Sequence, residues 1–151
     1  MTYQIDQSNK IEDSGDTALA LTNDEEYTIC IPGKEKRAAL KSMRRHFERL
    51  SRKLIHIKLF TAALYYLLRE LPPGTLVTID TEYAGHESSI KAMLLYWLRQ
   101  ERPDISPDGI TFGRVGKKSA AHKKALAVYR GNARADRTLK ADDLLKQIIG
   151  P

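Results

Sequence analysis

The segment at residues 76–83 constrains the fold of this chain more than any other. Its apolar and β-branched residues follow the turn signal Pro72-Pro73-Gly74 and end on two carboxylates, Asp80 and Glu82. The period-two alternation of a strand would place both carboxylates on one face. A strand in a sheet covered by helices avoids charge, because burying an unpaired carboxylate is costly. A bound metal ion would supply the opposite charge; alternatively, Asp80 caps the next helix or pairs with a lysine.

The composition predicts one compact domain in a reducing compartment. The 151 residues are 42% hydrophobic and 29% charged, enough to build and cover one core. The single cysteine, Cys30, lies in an apolar run and excludes both a disulfide framework and a cysteine metal site. The N-terminus lacks a signal peptide, and no apolar stretch approaches the ~20 residues that cross a bilayer. We therefore expect a soluble, cytoplasmic protein with no membrane partner.

Charge is distributed unevenly along this basic chain, whose formal net charge is +6. Residues 1–33 carry seven acidic residues against one lysine, residues 34–58 ten basic residues against two acidic ones, and residues 114–140 nine against one. Clustered Lys and Arg indicate a phosphate-rich partner such as nucleic acid, although a solvated helix face is the alternative. The candidate nucleic-acid contacts are Lys36, Arg37, Lys41, Arg44, Arg45, Lys117, Lys118, Lys123 and Lys124.

The hydrophobic periodicity predicts five strands and five helices. The strands are expected at residues 3–11, 17–21, 26–31, 76–83 and 110–115, the first three as an antiparallel meander. The helices are expected at residues 34–53, 54–71, 87–100, 120–130 and 140–149. The first helix carries an apolar stripe beneath a basic face.

This order of elements resembles the ribonuclease H-like nuclease fold over residues 3 to about 130. Ile5-Asp6-Gln7-Ser8 resembles the first-strand segment, in which the family places its central metal-binding Asp. Residues 79–83, Ile-Asp-Thr-Glu-Tyr, resemble the fourth-strand Asp-Ser-Gln-Tyr segment. Residues 113–116 and the following helix, which carries His122, resemble the fifth strand and final helix. There the family places an Asp, and some resolvase-like members place a His.

The resemblance implies an α/β, ribonuclease H-like fold with a mixed five-stranded sheet flanked by helices. Three strands would be antiparallel, followed by two parallel ones. Residues 1–151 would form a single domain with a basic helical segment at 34–53 and a C-terminal capping helix at 140–149.

The resemblance also implies a nuclease that depends on Mg²⁺ or Mn²⁺, cations that prefer oxygen ligands. The implied metal ligands are Asp6, Asp80, Glu82 and His122, and the implied catalytic residues are the same four with Glu87. A two-metal site would hydrolyse phosphodiester bonds, and His122 could instead act as general acid or base. The family usually has a Glu near the positions of Lys58 and Leu59, and Glu82 or Glu87 would substitute for it.

The substrate class stays open between DNA, RNA–DNA hybrid and branched DNA, and a junction-cutting enzyme would imply a two-fold homodimer. Two other classes of function are compatible with the sequence. One is a catalytically inactive, ribonuclease H-like nucleic-acid-binding module, and the other is an interaction domain whose basic helix docks on an acidic protein.

Overall fold

Residues 2–23, 25–72 and 74–150, which the computed structural model describes, form a six-stranded sheet and five α-helices. The strands are β1 (Thr2–Ser8), β2 (Thr17–Thr22), β3 (Glu26–Ile31), β4 (Leu76–Asp80), β5 (Ile110–Gly113) and β6 (Arg137–Thr138). The helices are α1 (Gly33–His46), α2 (Arg52–Leu68), α3 (Glu87–Glu101), α4 (Ala120–Tyr129) and α5 (Ala141–Ile148).

The sheet is mixed, with the strand order β5-β4-β1-β2-β3-β6. β1, β2 and β3 form the expected antiparallel meander, and β4 and β5 add to the β1 side in parallel. The α/β class and the antiparallel-then-parallel arrangement are therefore confirmed. The expected number of five strands is wrong, because β6 pairs in parallel with Ile29 and Cys30 of β3. With only two residues, β6 is too short to show the period-two alternation by which a strand is predicted.

The two faces of the sheet are covered by different helices. Alternation along β1, β2 and β3 directs Ile5, Leu19 and Ile29 into the main core, which also contains apolar residues of α1, α2, α3 and α5. The opposite face of β1, β2 and β3 contacts α4, whose buried Ala121 and Ala125 allow its backbone to approach closely. One helix therefore covers the face toward which even-numbered β1 residues point.

The boundary between the first two helices differs from the expected one. α1 ends at His46 and α2 begins at Arg52, whereas the periodicity places the break after residue 53. Ser51 is the N-cap of α2, and its hydroxyl accepts a hydrogen bond from the Leu54 N–H at 3.2 Å. Phe47 and Leu50 lie in the turn between the two helices and also pack on the core. Their three-residue spacing therefore looks the same in the sequence as a continuation of α1. None of the described helices is both long and apolar enough to cross a membrane.

The first helix begins at the end of the sheet where β1 and β4 terminate. The Gly33 N–H donates to Asp16 in the loop that joins β1 to β2, at 2.8 Å. α2 reaches the same end, because the ring of Phe60 lies 5.2 Å from the ring of Tyr83, which follows β4. The basic segment therefore starts close to the carboxyl ends of these two parallel strands.

Candidate functional site

Asp6 and Asp80 lie side by side on neighbouring parallel strands. The register of β1 and β4 pairs Ile5 with Ile79, and each aspartate is the next residue along its strand. Because side chains alternate between the two faces, both aspartates point away from the main core that buries the two isoleucines. The carboxyl ends of the two strands thus present two carboxylates on the face covered by α4.

Glu82 joins this pair from the turn after β4. The alternation of side chains along a strand does not explain the position of Glu82, because β4 ends at Asp80. After Asp80, the Thr81 N–H donates one further hydrogen bond to the Gly113 carbonyl, at 3.0 Å. One oxygen each from Asp6, Asp80 and Glu82 lie within 4.8 Å of one another. Three carboxylates so close repel one another unless protons or a cation neutralise them.

Backbone and imidazole donors hold the two aspartates in place. Asp6 Oδ1 accepts from the Gln7 N–H at 2.8 Å, and Asp6 Oδ2 lies 2.9 Å from His122 Nδ1. Asp80 Oδ1 accepts from the Val115 N–H at 2.9 Å. His122 lies in the first turn of α4, where the Ser119 N-cap accepts its backbone N–H. Each aspartate keeps acceptor capacity for a further partner.

The crowding of carboxylates shifts their protonation. Burial raises the pKa of Asp6, which is only 6% exposed, while hydrogen bonds from His122 and Gln7 oppose this rise. Burial, then the hydrogen bond with Asp80 and its negative charge, raise the pKa of Glu82 to about 7. The cluster therefore retains a proton near neutrality when no cation is bound.

Gln7 is a buried polar residue for which the sequence predicts no role in the site. Its side chain is 7% exposed, and its Nε2 and Oε1 form no hydrogen bond within residues 2–23, 25–72 and 74–150. The Gln7 amide lowers the pKa of the Glu82 carboxyl, against the larger effects of burial and Asp80 that raise it. A buried amide without partners is costly, so a ligand or water network in this cleft would satisfy it.

These groups line one cleft of about 520 Å³. Asp6, Gln7, Asp80, Glu82 and His122 contribute to its lining, together with Arg114 and Lys117. The structure thus brings together all four residues named from the sequence as metal ligands. Arg114 was missed, although it follows β5 at the same end of the sheet as Asp80.

Glu87 lies elsewhere, at the start of α3. Its carboxylate accepts from the Gly85 N–H at 2.9 and 3.2 Å through its two oxygens, and it is not among the residues that line the cleft. In this position it stabilises the turn that leads into α3 and the N-terminal end of that helix.

The nine candidate nucleic-acid contacts divide into exposed and engaged residues. Arg37, Lys41, Arg44, Arg45, Lys117, Lys118 and Lys123 are exposed. Lys124 pairs with Glu26 at 3.4 Å. The surface position expected for Lys36 is wrong, because its side chain is 2% exposed. Its Nζ donates to the carbonyls of Lys10 and Asp13 and to Thr17 Oγ1, so α1 buries it against the β1–β2 loop.

No protein-family model, curated protein or solved structure significantly matches the chain. Its function must therefore be inferred from the chemistry of the cleft and its surroundings.

Proposed function

We propose that this protein is a metal-dependent nuclease of the ribonuclease H-like type that hydrolyses phosphodiester bonds. The observation that carries the proposal is the convergence of three carboxylate oxygens, from Asp6, Asp80 and Glu82, within 4.8 Å in a cleft that also contains His122. Neighbouring carboxylates in folded proteins are normally paired with cations, whereas among the described residues only Asp6 has an ion-pair partner, the His122 imidazole at 2.9 Å.

The residues of the cleft fit Mg²⁺ or Mn²⁺. Hard divalent cations prefer carboxylate oxygen, and Asp6, Asp80 and Glu82 supply oxygens from three different residues. The unpartnered Gln7 amide beside them could bond to water bound in the cleft. Asp6, Asp80, Glu82 and, through its second ring nitrogen, His122 would hold the cation. When bound, it would supply Lewis-acid activation of water and stabilisation of the leaving oxygen.

His122 is suited to proton transfer as well as to ligation. With Nδ1–H donated to Asp6, the neutral ring keeps its acceptor lone pair on Nε2. Asp6 would fix the tautomer and the orientation of the imidazole, and it would stabilise the ring once protonated. Nε2 could therefore accept a proton from water or give one to a leaving group in the cleft.

The ribonuclease H-like assignment is supported by the order of the elements and the places of these residues. The chain has a three-stranded meander, helices, a strand ending in Asp80, a helix, a strand and a final helix bearing His122 before the α5 cap. The resemblance implies Asp6, Asp80 and His122 as metal ligands, and the proposal is supported by the fact that the three line one cleft.

The basic surface around α1 supports nucleic acid as the substrate. Arg37, Lys41, Arg44 and Arg45 are exposed along this helix, which begins at the end of the sheet that holds the carboxylates. Arg52, the first residue of α2, is exposed as well. Such a surface would bind phosphates without reading sequence, so affinity should fall steeply with salt. DNA, RNA–DNA hybrid and branched DNA all offer these phosphates.

The test is cleavage of labelled single-stranded, duplex, hybrid and four-way-junction substrates with Mg²⁺ or Mn²⁺. We expect cation-dependent cleavage that falls more than about 100-fold in Asp6→Asn and in Asp80→Asn, while substrate binding persists. Asp104→Asn, which removes an exposed carboxylate outside the cleft, is the matched control and should cleave normally. Equal activity in Asp80→Asn and the control would remove the carboxylates from the chemistry.

A catalytically inactive nucleic-acid-binding module is the second candidate, and one observation favours it. At the positions where the resemblance expects a Glu, Lys58 Nζ lies over the Phe47 ring at 5.1 Å and Leu59 is buried in the core. Neither can bind a cation, so the described cluster has three carboxylates rather than four. Substrate binding without cleavage on every substrate would favour this module.

A further inference from the structure

Two basic residues line the same cleft as the carboxylates. Arg114 directly follows β5, and Lys117 lies three residues further on, in the segment that leads to α4. Both line the cleft with Asp6, Asp80 and Glu82. Within the parts of the chain that the structure describes, neither forms an ion pair. The cleft therefore combines three carboxylates with two cations that have no ion-pair partner among the described residues.

The segment that carries these cations, residues 113–119, is anchored to the strand that carries Asp80. The Gly113 carbonyl accepts from the Thr81 N–H, and the Val115 N–H donates to Asp80 Oδ1. Gly116 has a φ of +86°, a conformation that glycine adopts without strain, and its carbonyl accepts from the Ser119 N–H at 3.3 Å. Arg114 and Lys117 thus project from a segment whose backbone is fixed relative to the acidic cluster.

Arg114 and Lys117 are exposed at the cleft, so their cationic groups are accessible to a ligand from solvent. The cleft has a volume of about 520 Å³. That volume could accommodate an anion of the size of a phosphodiester. The planar guanidinium of an arginine can donate bidentate hydrogen bonds to two phosphate oxygens, and a lysine ammonium adds a positive point charge.

We propose that Arg114 and Lys117 bind a backbone phosphate of the substrate strand and position it over the carboxylates. This inference rests on the proposed nuclease function and assigns these two residues the role of substrate positioning. The competing explanation is that the two cations only neutralise the acidic cluster. The two explanations predict different behaviour for nucleic-acid affinity.

The test compares Arg114→Ala, Arg114→Lys and Lys117→Ala with Arg134→Ala, which removes an exposed arginine outside the cleft. The probes are fluorescein-labelled DNA duplex and RNA–DNA hybrid, titrated in EDTA at several salt concentrations. We expect each alanine variant to bind about 5- to 20-fold more weakly, with a salt slope shallower by about one. Arg114→Lys should fall in between, and Arg134→Ala should match the wild type.

Mn²⁺ binding, measured by electron paramagnetic resonance, separates a positioning role from structural damage. Removing a positive charge beside the carboxylates should leave Mn²⁺ affinity unchanged or raise it, whereas damage to the cleft would lower it. Oligonucleotide affinity equal to that of the control would overturn the inference, and so would a parallel loss of Mn²⁺ and oligonucleotide affinity. Oligonucleotide binding through Arg114 and Lys117 in a chain that neither binds Mn²⁺ nor cleaves would overturn only the proposed nuclease.

Discussion

Replacing Glu82 by glutamine should stabilise the metal-free protein, and the gain should depend on pH. The pKa of Glu82 is raised from 4.5 to about 7, first by burial and then by Asp80. Because the folded state holds this proton more tightly than the unfolded state, stability falls as pH rises between these two values. Above about pH 7 the full cost of ionising Glu82 in the folded protein is present.

The size of the effect follows from the pKa. The difference between 4.5 and about 7 corresponds to about 3 kcal/mol as an upper bound. Glu82 is only partly buried, so solvent screening should reduce this to about 1–2 kcal/mol. Glutamine keeps the shape of the protonated acid and can still donate to Asp80. We therefore expect Glu82→Gln to be more stable than the wild type by this amount at about pH 8, and nearly equal to it at about pH 4.

The assay is urea denaturation in EDTA across this pH range, with Glu87→Gln as the matched control. Glu87 is also a glutamate after β4, but it accepts from a backbone N–H at the start of α3, so its replacement should give no pH-dependent gain. Adding Mn²⁺ should reverse the order, because the wild type binds the cation more tightly than the variant does. If Glu82→Gln gains no stability at the higher pH, the three carboxylates do not repel one another, and the physical basis of the metal site fails.

Two further predictions concern the basic segment. Lys36→Met should destabilise the fold by about 2–4 kcal/mol, because it leaves the Lys10 and Asp13 carbonyls without their buried donor. The control is Lys34→Met, which replaces an exposed lysine and should change stability by less than about 0.5 kcal/mol in the same urea titration. The double variant Arg44→Ala/Arg45→Ala should bind duplex DNA about 10-fold more weakly at low salt, and the slope of log affinity against log salt concentration should be shallower by about two. Unchanged binding in a fluorescence anisotropy titration would remove α1 from the interface.

The main elements could be predicted from the sequence because each has a local cause. Five strands follow from apolar runs between turn signals, and the helices follow from three- and four-residue spacings. β6 could not be predicted, since its pairing joins residues 29–30 to residues 137–138, far apart in the chain. Helix periodicity also continues through Phe47 and Leu50, so only the Ser51 cap marks the true start of α2.

The acidic residues of the cleft could be predicted from the sequence. The roles of Gln7 and Lys36 could not, because they depend on tertiary contacts. Asp80 ends an otherwise apolar strand pattern, whereas Asp6 lies in a strand with few apolar residues and was named because Ile5-Asp6-Gln7-Ser8 resembles a family segment. Gln7 is neutral, and its lack of partners exists only in three dimensions. Lys36 belongs to a charged run, but its Nζ donates to carbonyls of residues that lie 23 and 26 positions earlier in the chain. Sequence periodicity carries no information on such contacts.

The cleft depends on how closely α4 approaches the sheet. Ala121 and Ala125 lie buried beneath this helix, and the small side chains let its first turn bring His122 Nδ1 to 2.9 Å from Asp6. The segment before α4 also holds Asp80 through the Val115 N–H and carries Arg114 and Lys117. One connection between β5 and α4 therefore positions an acid, an imidazole and two cations together. Because these groups share one backbone, a shift of α4 would alter cation binding and phosphate binding at the same time.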